Sequence, residues 1–248
     1  PTVAAASGSA ATATAAGVAA VAAEVVAGRP VYVHIDCDVL DADAHRRAQR
    51  TLAEAGLAAP GWPVEWGGQD WTTLQKFIWD SEMQRASVPS PLPFNTSMVG
   101  PVIAAFGSEE LKERFLAKTM TCEIWWCQGF SEPEAGSDLA SLRTTAVREG
   151  DEYVVNGQKI WTTLGQHADW IFALVRTDPT AKKQQGISFL LIDMQTPGIT
   201  VRPIRLLDGG VEVGVGEDEG RRLAAELQVH TLEALRGRSG HLHAGAHR

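Results

Sequence analysis

Two hydrophobic rhythms divide the chain. Between residues 44 and 120 apolar positions recur every three or four residues, the spacing of a helix with one buried face. "AHRRAQRTLAEAG" aligns Ala44, Ala48, Leu52 and Ala55 on one face, with Gly56 as a stop. "TTLQKFIWDSEMQRA" predicts a helix with Leu74, Phe77 and Ile78 on its apolar side. "PSPLPFNTSMVGPVIAAFG" reads as a proline-interrupted helical stretch. In "SEELKERFLAK" Ser108 caps a helix that opens on two glutamates and turns Leu111, Phe115 and Leu116 inward. From Glu123 the period shortens to two. "RTTAVRE", "EYVVN", "QKIWTT", "DWIFALVRT" and "ISFLLIDM" read as strands, separated by Glu149-Gly150-Asp151, Asn156-Gly157 and Pro197-Gly198. Helices followed by an antiparallel β-domain make an α+β order rather than an alternating βαβ one.

The two ends have a different texture. The first thirty or so residues are rich in Ala, and Val18, Val21 and Val25 suit a small-residue helix closed by Gly28 and Pro30. A β-branched strand, "VYVHIDCDVLD", then runs into acidic residues. From Gly210 the chain turns Gly-rich and acidic, predicts a helix over Glu219 to Arg236, and ends basic with His230, His241, His243 and His247. Nothing in that tail is expected to continue the β pattern.

Composition adds constraints. The chain is 44% hydrophobic and 21% charged, which reads as globular. A net charge of −8 argues against nucleic acid or an anionic membrane as partner. Cys37, Cys122 and Cys127 form neither a CxxC pair nor an even disulfide framework, so a reducing cytoplasm is expected. No run reaches the roughly 18 apolar residues of a membrane span. The Ala-rich start has no basic residue before Arg29, which makes it a poor secretory signal. An opening Pro1 rather than Met reads as a fragment or a processed product.

The chemistry concentrates in "SEPEAGSDLASLRTTAVREGDEYVVNGQKIWTT", residues 131–163. Ser131 to Asp138 offers hydroxyls, an acidic pair and backbone amides freed around Ala135-Gly136, which suits close approach to a flat or phosphorylated ligand. Trp161 at a strand end offers an aromatic face, with Thr162 and Thr163 as donors beside it. The plain alternative is an ordinary sheet with a Gly turn and a Trp in its core.

With "LAAPGWPVEWGG" and "VGPVIAAFGSEELKERFL" upstream and "ADWIFALVRTD" and "GISFLLIDMQTPGITVRPI" downstream, this segment resembles the acyl-CoA dehydrogenase family over roughly Ala44 to Gly209. Within that family it looks like the bacterial branch acting on fatty or steroid-related acyl-CoAs. The resemblance implies a helical N-terminal domain, an antiparallel β-barrel-like middle domain, and FAD held against the latter during α,β-dehydrogenation of an acyl thioester. Carried over by motif, Gln128 to Ser137 would line the flavin's polar edge and pyrophosphate. Ser131 would donate through its hydroxyl and backbone, and Phe130 through its amide. Gly136 would lie in the phosphate turn, and Ser137 would sit where the phosphate meets the acyl-CoA substrate. Trp161, with Thr162 beside it, would pack on the isoalloxazine, and Thr163 would approach N5. The family normally has Thr where this chain has Ser131, which keeps the hydroxyl.

The family's C-terminal helical domain, which brings the carboxylate base and the dimer surface, is not recognisable after Gly210. No catalytic residue is therefore nominated, and activity would need a homo- or hetero-oligomeric partner. At the other end, "GVAAVAAEVVAGRPVYVHIDCDVLDADA" resembles the arginase/agmatinase family near its aspartate motif. Asp36 and Asp38 would share one face of a strand and could hold Mn²⁺, with Asp41 as a third acid. His34 and Ala42 depart from that motif, and an acidic strand exit is the plain reading. Trp62, Trp66 and Trp71 would serve as core and loop packing rather than a sugar platform, and the tail histidines as a solvated end. The expectation is a composite chain: a ureohydrolase-like piece at 1–43, a helical segment at 44–121, an incomplete β-domain at 122–209 and an unmatched tail at 210–248. The alternatives to a flavoprotein fragment are a metal-dependent ureohydrolase fragment and a non-functional chimera.

Overall fold

The computed structural model describes residues 42–150, 152–205, 211–217 and 223–226. The Ala-rich segment, the Asp36 and Asp38 strand, Cys37 and the histidine tail lie outside them. Helices come first: α1 (Ala42–Glu54), α2 (Thr73–Arg85), a π-helical turn (Phe94–Val99) leading into α3 (Gly100–Phe106), and α4 (Glu109–Met120). Strands follow: β1 (Trp126–Gly129), β2 (Thr145–Glu149), β3 (Glu152–Asn156), β4 (Gln158–Lys159), β5 (Trp170–Arg176), β6 (Ile187–Asp193), β7 (Ile199–Arg205), β8 (Val211–Glu217) and β9 (Leu223–Glu226). This is the α+β architecture expected. Among the described residues the strands make two sheets and close no barrel: one runs β1-β5-β2-β3-β9 with β6 on β5, the other β4-β8-β7. No helix among the described residues is long and apolar enough to cross a membrane.

Local chemistry explains most helix ends. Ser108 caps α4 by accepting from the Leu111 amide, and Leu111, Phe115 and Leu116 are buried as predicted. Thr72 and Gln75 close a reciprocal capping box on α2. The proline-interrupted stretch resolves into the π turn and a short helix with Pro101 in its first turn, where a missing N–H is tolerated. The ladder slips one residue, and the Gly100 amide donates to the carbonyl of Asn95.

One expected helix face holds only in part and a second is wrong. In α1 the buried residues are His45, Ala48, Gln49 and Leu52, while Ala55 is exposed. Gln49 is drawn inward by backbone partners, donating to the carbonyls of Thr119 and Met120 and accepting from the Leu92 amide. In α2 Leu74 and Phe77 are 66% and 67% exposed, and Ile78 is 38% exposed. Trp79 and Met83 face inward instead, packing with Leu52, Ala58 and Val88.

The strands differ from expectation in four respects. β1 pairs with β5 in parallel, so the domain is not wholly antiparallel. Asn156-Gly157 does not make a hairpin, since β3 pairs in the first sheet and β4 in the second. The chain changes sheets there at Gly157, whose φ is 149° and whose added Cβ would lie 2.5 Å from Thr144 Oγ1. The β pattern also continues past Gly210. β8 lies between β4 and β7 with a seven-residue register on β7. Leu223–Glu226, expected within a helix, instead pair with the edge of β3, where an unpaired row of amides and carbonyls outweighs a local helix preference. The remainder of that expected helix, residues 219–222 and 227–236, lies outside the described residues. At the front, α1 begins at Ala42 and runs unbroken through Asp43, where a join was expected.

In the first sheet β1, β5 and β6 are buried on both faces and are apolar at consecutive positions, whereas β2 and β3 bury one face. Cys127, Ile171, Ala173, Leu190 and Ile192 point to an inner cluster with Tyr153 and Val215. Trp126, Phe172 and Leu191 point the other way, against Ala59, Trp62, Val99, Ile103 and Phe115 of the helical layer.

Candidate functional site

β1 carries the first half of the candidate site to its place. Gly129 lies so close to β5 that a Cβ there would meet Ile171 Cδ1 at 2.7 Å. This close seat aims Phe130 and Ser131 out of the sheet's end. The carbonyl of Ser131 then accepts from the amide of Ile160 at 2.9 Å, which brings residues 128–131 beside 160–163. Phe130 stands edge-on to Phe172 at 5.8 Å, and Gln128 Nε2 contacts Met98 Sδ of the π turn at 3.6 Å.

β4 ends at Lys159, so Trp161 lies beyond the strand rather than at its end. Its φ of 55° is left-handed, as is the 59° of Leu164. Non-glycine residues in that region cost of order 1–3 kcal/mol each and persist where surrounding contacts over-determine them. Here the contacts are the Thr162 amide on the Val213 carbonyl and the Gly165 amide on the Thr162 carbonyl, both at 2.9 Å. The outcome is a tight turn that holds Trp161 out at 55% exposure. The reading of Trp161 as a core tryptophan is thereby excluded. Thr163 is partly exposed beside it, whereas Thr162 is fully buried, its hydroxyl without a hydrogen-bond partner. β8, beyond the expected end of the domain, is thus what anchors this turn.

The loop after Ser131 folds on itself: Glu132 and Ala135 exchange backbone hydrogen bonds at 2.9 and 3.1 Å. The Ala135 amide, expected to be free, is spent in that turn. Gly136 and Ser137 lie exposed just beyond it, and a Cβ on Gly136 would meet nothing within 4 Å. Asp138 pairs with Lys183, and Glu134 with Arg143 at 2.6 Å.

Two residues that the motif reading passed over hold the two halves together. Lys159 Nζ is 2.7 Å from Glu132 Oε1, with side chains 5% and 7% exposed. Burial would raise the Glu132 carboxyl, but hydrogen bonds from Lys159, Thr144 and the Arg143 amide outweigh it and hold the carboxyl below the ordinary 4.5. Burial draws Lys159 below the ordinary lysine value, with Glu132 opposing. In the sequence they are isolated charges 27 residues apart, with nothing to mark them as an ion pair.

The arrangement fits a flat cofactor with a phosphate arm: an exposed indole on a strained turn, Thr163 two residues on, the Ser131 backbone bonded to Ile160, and an exposed glycine at 136. A separate cleft of about 480 Å³ in the helical layer is lined by Lys76, Asp80, Gln84, Ser90 and Thr96, with Trp62 in its wall. Trp62 is buried and donates to the Thr96 carbonyl at 2.7 Å, and Trp71 stands edge-on to Trp79, so these two are packing residues as expected. Among the described residues no cluster of three or more His, Cys, Asp or Glu could hold a metal ion.

A helical N-terminal layer is followed by a β-domain that presents Trp161 near Ser131, and comparison with known proteins assigns this architecture to a family. The N-terminal domain of acyl-CoA dehydrogenases matches residues 8–123, and their middle domain matches residues 127–217. The chain belongs to the acyl-CoA dehydrogenase family. It is similar to acyl-CoA dehydrogenase IpdE1 of Mycobacterium tuberculosis, 40% identical over 191 residues, which are 76% of this chain and 50% of that protein. Among solved structures it is similar to the ChsE4-ChsE5 complex of M. tuberculosis, with TM-score 0.73 and 32% identity over 90% of this chain and 56% of that one. It also resembles the Tcur3481-Tcur3483 steroid acyl-CoA dehydrogenase, with TM-score 0.66 and 32% identity over 84% and 54%. The chain spans about half the length of the curated relatives it matches. The N-terminal match takes in Asp36 and Asp38 and runs through both sides of Asp43, and the middle-domain match extends through residue 217, into the expected tail.

Proposed function

We propose that this chain provides the FAD- and acyl-CoA-facing surface of an acyl-CoA dehydrogenase whose substrates are bulky, steroid-type or fatty acyl thioesters. The observation that carries the reading is Trp161, held exposed by a left-handed turn and joined to Ser131 through the Ser131–Ile160 hydrogen bond. FAD, when bound, supplies the hydride acceptor for α,β-dehydrogenation. Trp161 would give the flat ring an apolar wall, and Ser131 and Thr163 would hydrogen-bond its polar edge, with Gln128 and Phe130 bordering it. Gly136 and Ser137 would receive the pyrophosphate, Ser137 also meeting the acyl-CoA. Thr162 supports the wall from beneath through its amide.

No described carboxylate is nominated as the base. Glu132 is next in the chain to Ser131, but its oxygens already accept from Lys159 and from the amides of Arg143 and Thr144. A carboxylate so occupied is a poor proton acceptor. The base would come from outside the described residues, and a partner subunit is one source, in keeping with the similar ChsE4-ChsE5 structure being a complex. The manganese-dependent ureohydrolase reading of Asp36 and Asp38 has no comparable support, since the N-terminal domain match covers both residues.

The test is a visible absorption spectrum of the purified chain before and after FAD addition and desalting. Retained flavin with a perturbed band is expected. A protein that returns all of its FAD would overturn the proposal.

A further inference from the structure

The Glu132–Lys159 pair lies where four segments meet. Lys159 Nζ donates to Glu132 Oε1 at 2.7 Å, to the Leu174 carbonyl of β5 at 2.7 Å and to the Phe130 carbonyl at 3.3 Å. All three of its N–H bonds thus have an acceptor. Glu132 in turn accepts from the Arg143 amide at 2.6 Å and the Thr144 amide at 3.0 Å, at the entry to β2. One residue before Glu132 is Ser131, and two after Lys159 is Trp161.

We infer that Glu132 and Lys159 are positioning residues for the cofactor face: their buried, fully bonded pair sets the distance between Ser131 and the Trp161 turn. The inference rests on the flavin reading given above. Packing alone does not need an ion pair here. Replacing a buried pair by apolar groups is often neutral for stability, whereas stranding one charge is not. What an apolar pair lacks is direction. It cannot hold the Phe130 carbonyl toward β4, nor keep the Arg143 and Thr144 amides turned to the Ser131 loop. The neighbouring Trp161 and Leu164 sit in strained backbone that relaxes if those constraints slacken.

The experiment compares the full chain with Glu132→Gln, Lys159→Met and the double variant. FAD affinity is read by flavin fluorescence titration, stability by thermal melting, and local opening by hydrogen exchange of the Ile160 amide against amides of β5 and β6. Each single variant is expected to weaken FAD binding and speed Ile160 exchange by at least about tenfold, and by more than it speeds exchange in β5 and β6. The double variant is expected to regain the melting midpoint but neither FAD affinity nor Ile160 protection. Joint recovery of all three in the double variant would reduce the pair to a stabilising role and overturn the inference. So would Ile160 exchange that the single variants leave unchanged. A wild-type chain that takes up no FAD would sink the flavin reading, while exchange at Ile160 would still decide whether the pair positions the two segments.

Discussion

The side-chain carbonyl of Asn95 accepts a hydrogen bond from the backbone amide of Trp126 at 3.1 Å, although the two lie in different layers of the fold. The same side chain donates to the carbonyls of Thr119 at 2.9 Å and Ile124 at 2.7 Å. One fully buried amide thus ties the π turn to the end of α4 and the start of β1. It stands at the junction that carries β1, and with it Phe130 and Ser131, to the site.

Asn95→Ala would strand the Trp126 amide and the Ile124 carbonyl in the interior, while the Thr119 carbonyl keeps Gln49 as a donor. At about 1–3 kcal/mol for each unsatisfied buried group, a loss of about 3 kcal/mol is expected, with some recovered by relaxation or water entry. Urea denaturation of the two proteins measures it. A loss below about 1 kcal/mol would mean that the junction is held by its apolar contacts instead.

On α2 the structure and the apolar pattern make opposite predictions. Phe77→Glu should change stability by no more than about 0.5 kcal/mol, because Phe77 is exposed. Trp79→Ala should cost about 3–5 kcal/mol, because Trp79 fills the helical core against Leu52 and Met83. Melting of both variants decides between the faces, and a reversed order would restore the simple amphipathic reading.

The Glu132 carboxyl gives stability an acid limb. In the unfolded chain it titrates near 4.5, and in the fold it titrates lower. Between those values the unfolded state binds more protons, so stability falls as pH falls through that window and is fully present above it. Glu132→Gln should therefore be less stable near neutral pH and lose less stability as pH falls below the ordinary carboxylate value toward the lowered range of the folded carboxyl. Denaturant midpoints at stepped pH test this, and parallel curves for the two proteins would exclude Glu132 as a source of the limb.

Cys122 and Cys127 should resist alkylation in the native chain. Burial, only partly offset by Arg46, pushes the Cys122 thiol up to about 11. Burial alone pushes Cys127 higher still. Thiolate is the reactive form, so at neutral pH both are protected by burial and by protonation. Peptide mapping after iodoacetamide should find both unmodified until denaturant is added. Fast native labelling of Cys127 would mean that the inner face of the first sheet opens readily.

Much of this protein was determined by its sequence alone, because much of it is local. Ser108 and the residues that follow it write a capped helix in one turn of chain, and α4 forms where the periodicity put it. The switch from a period near 3.6 to a period of 2 marks the change from helices to strands, and the family motif from Ser131 to Thr163 marks the candidate site. Tertiary structure decided what depends on distant partners. Leu74, Phe77 and Ile78 look like a buried face until Trp79 and Met83 find a core built from residues far along the chain. Asn156-Gly157 looks like a hairpin until Thr144 requires a residue without a Cβ at a crossing between sheets. Val211–Glu217 looks like a tail until β7 and β4 give it two rows of hydrogen-bond partners. Glu132 and Lys159 are unremarkable charges in the sequence, and only their shared burial makes them a pair. In each case the local preference is worth a fraction of a kcal/mol per residue, and burial or backbone pairing across the fold outweighs it.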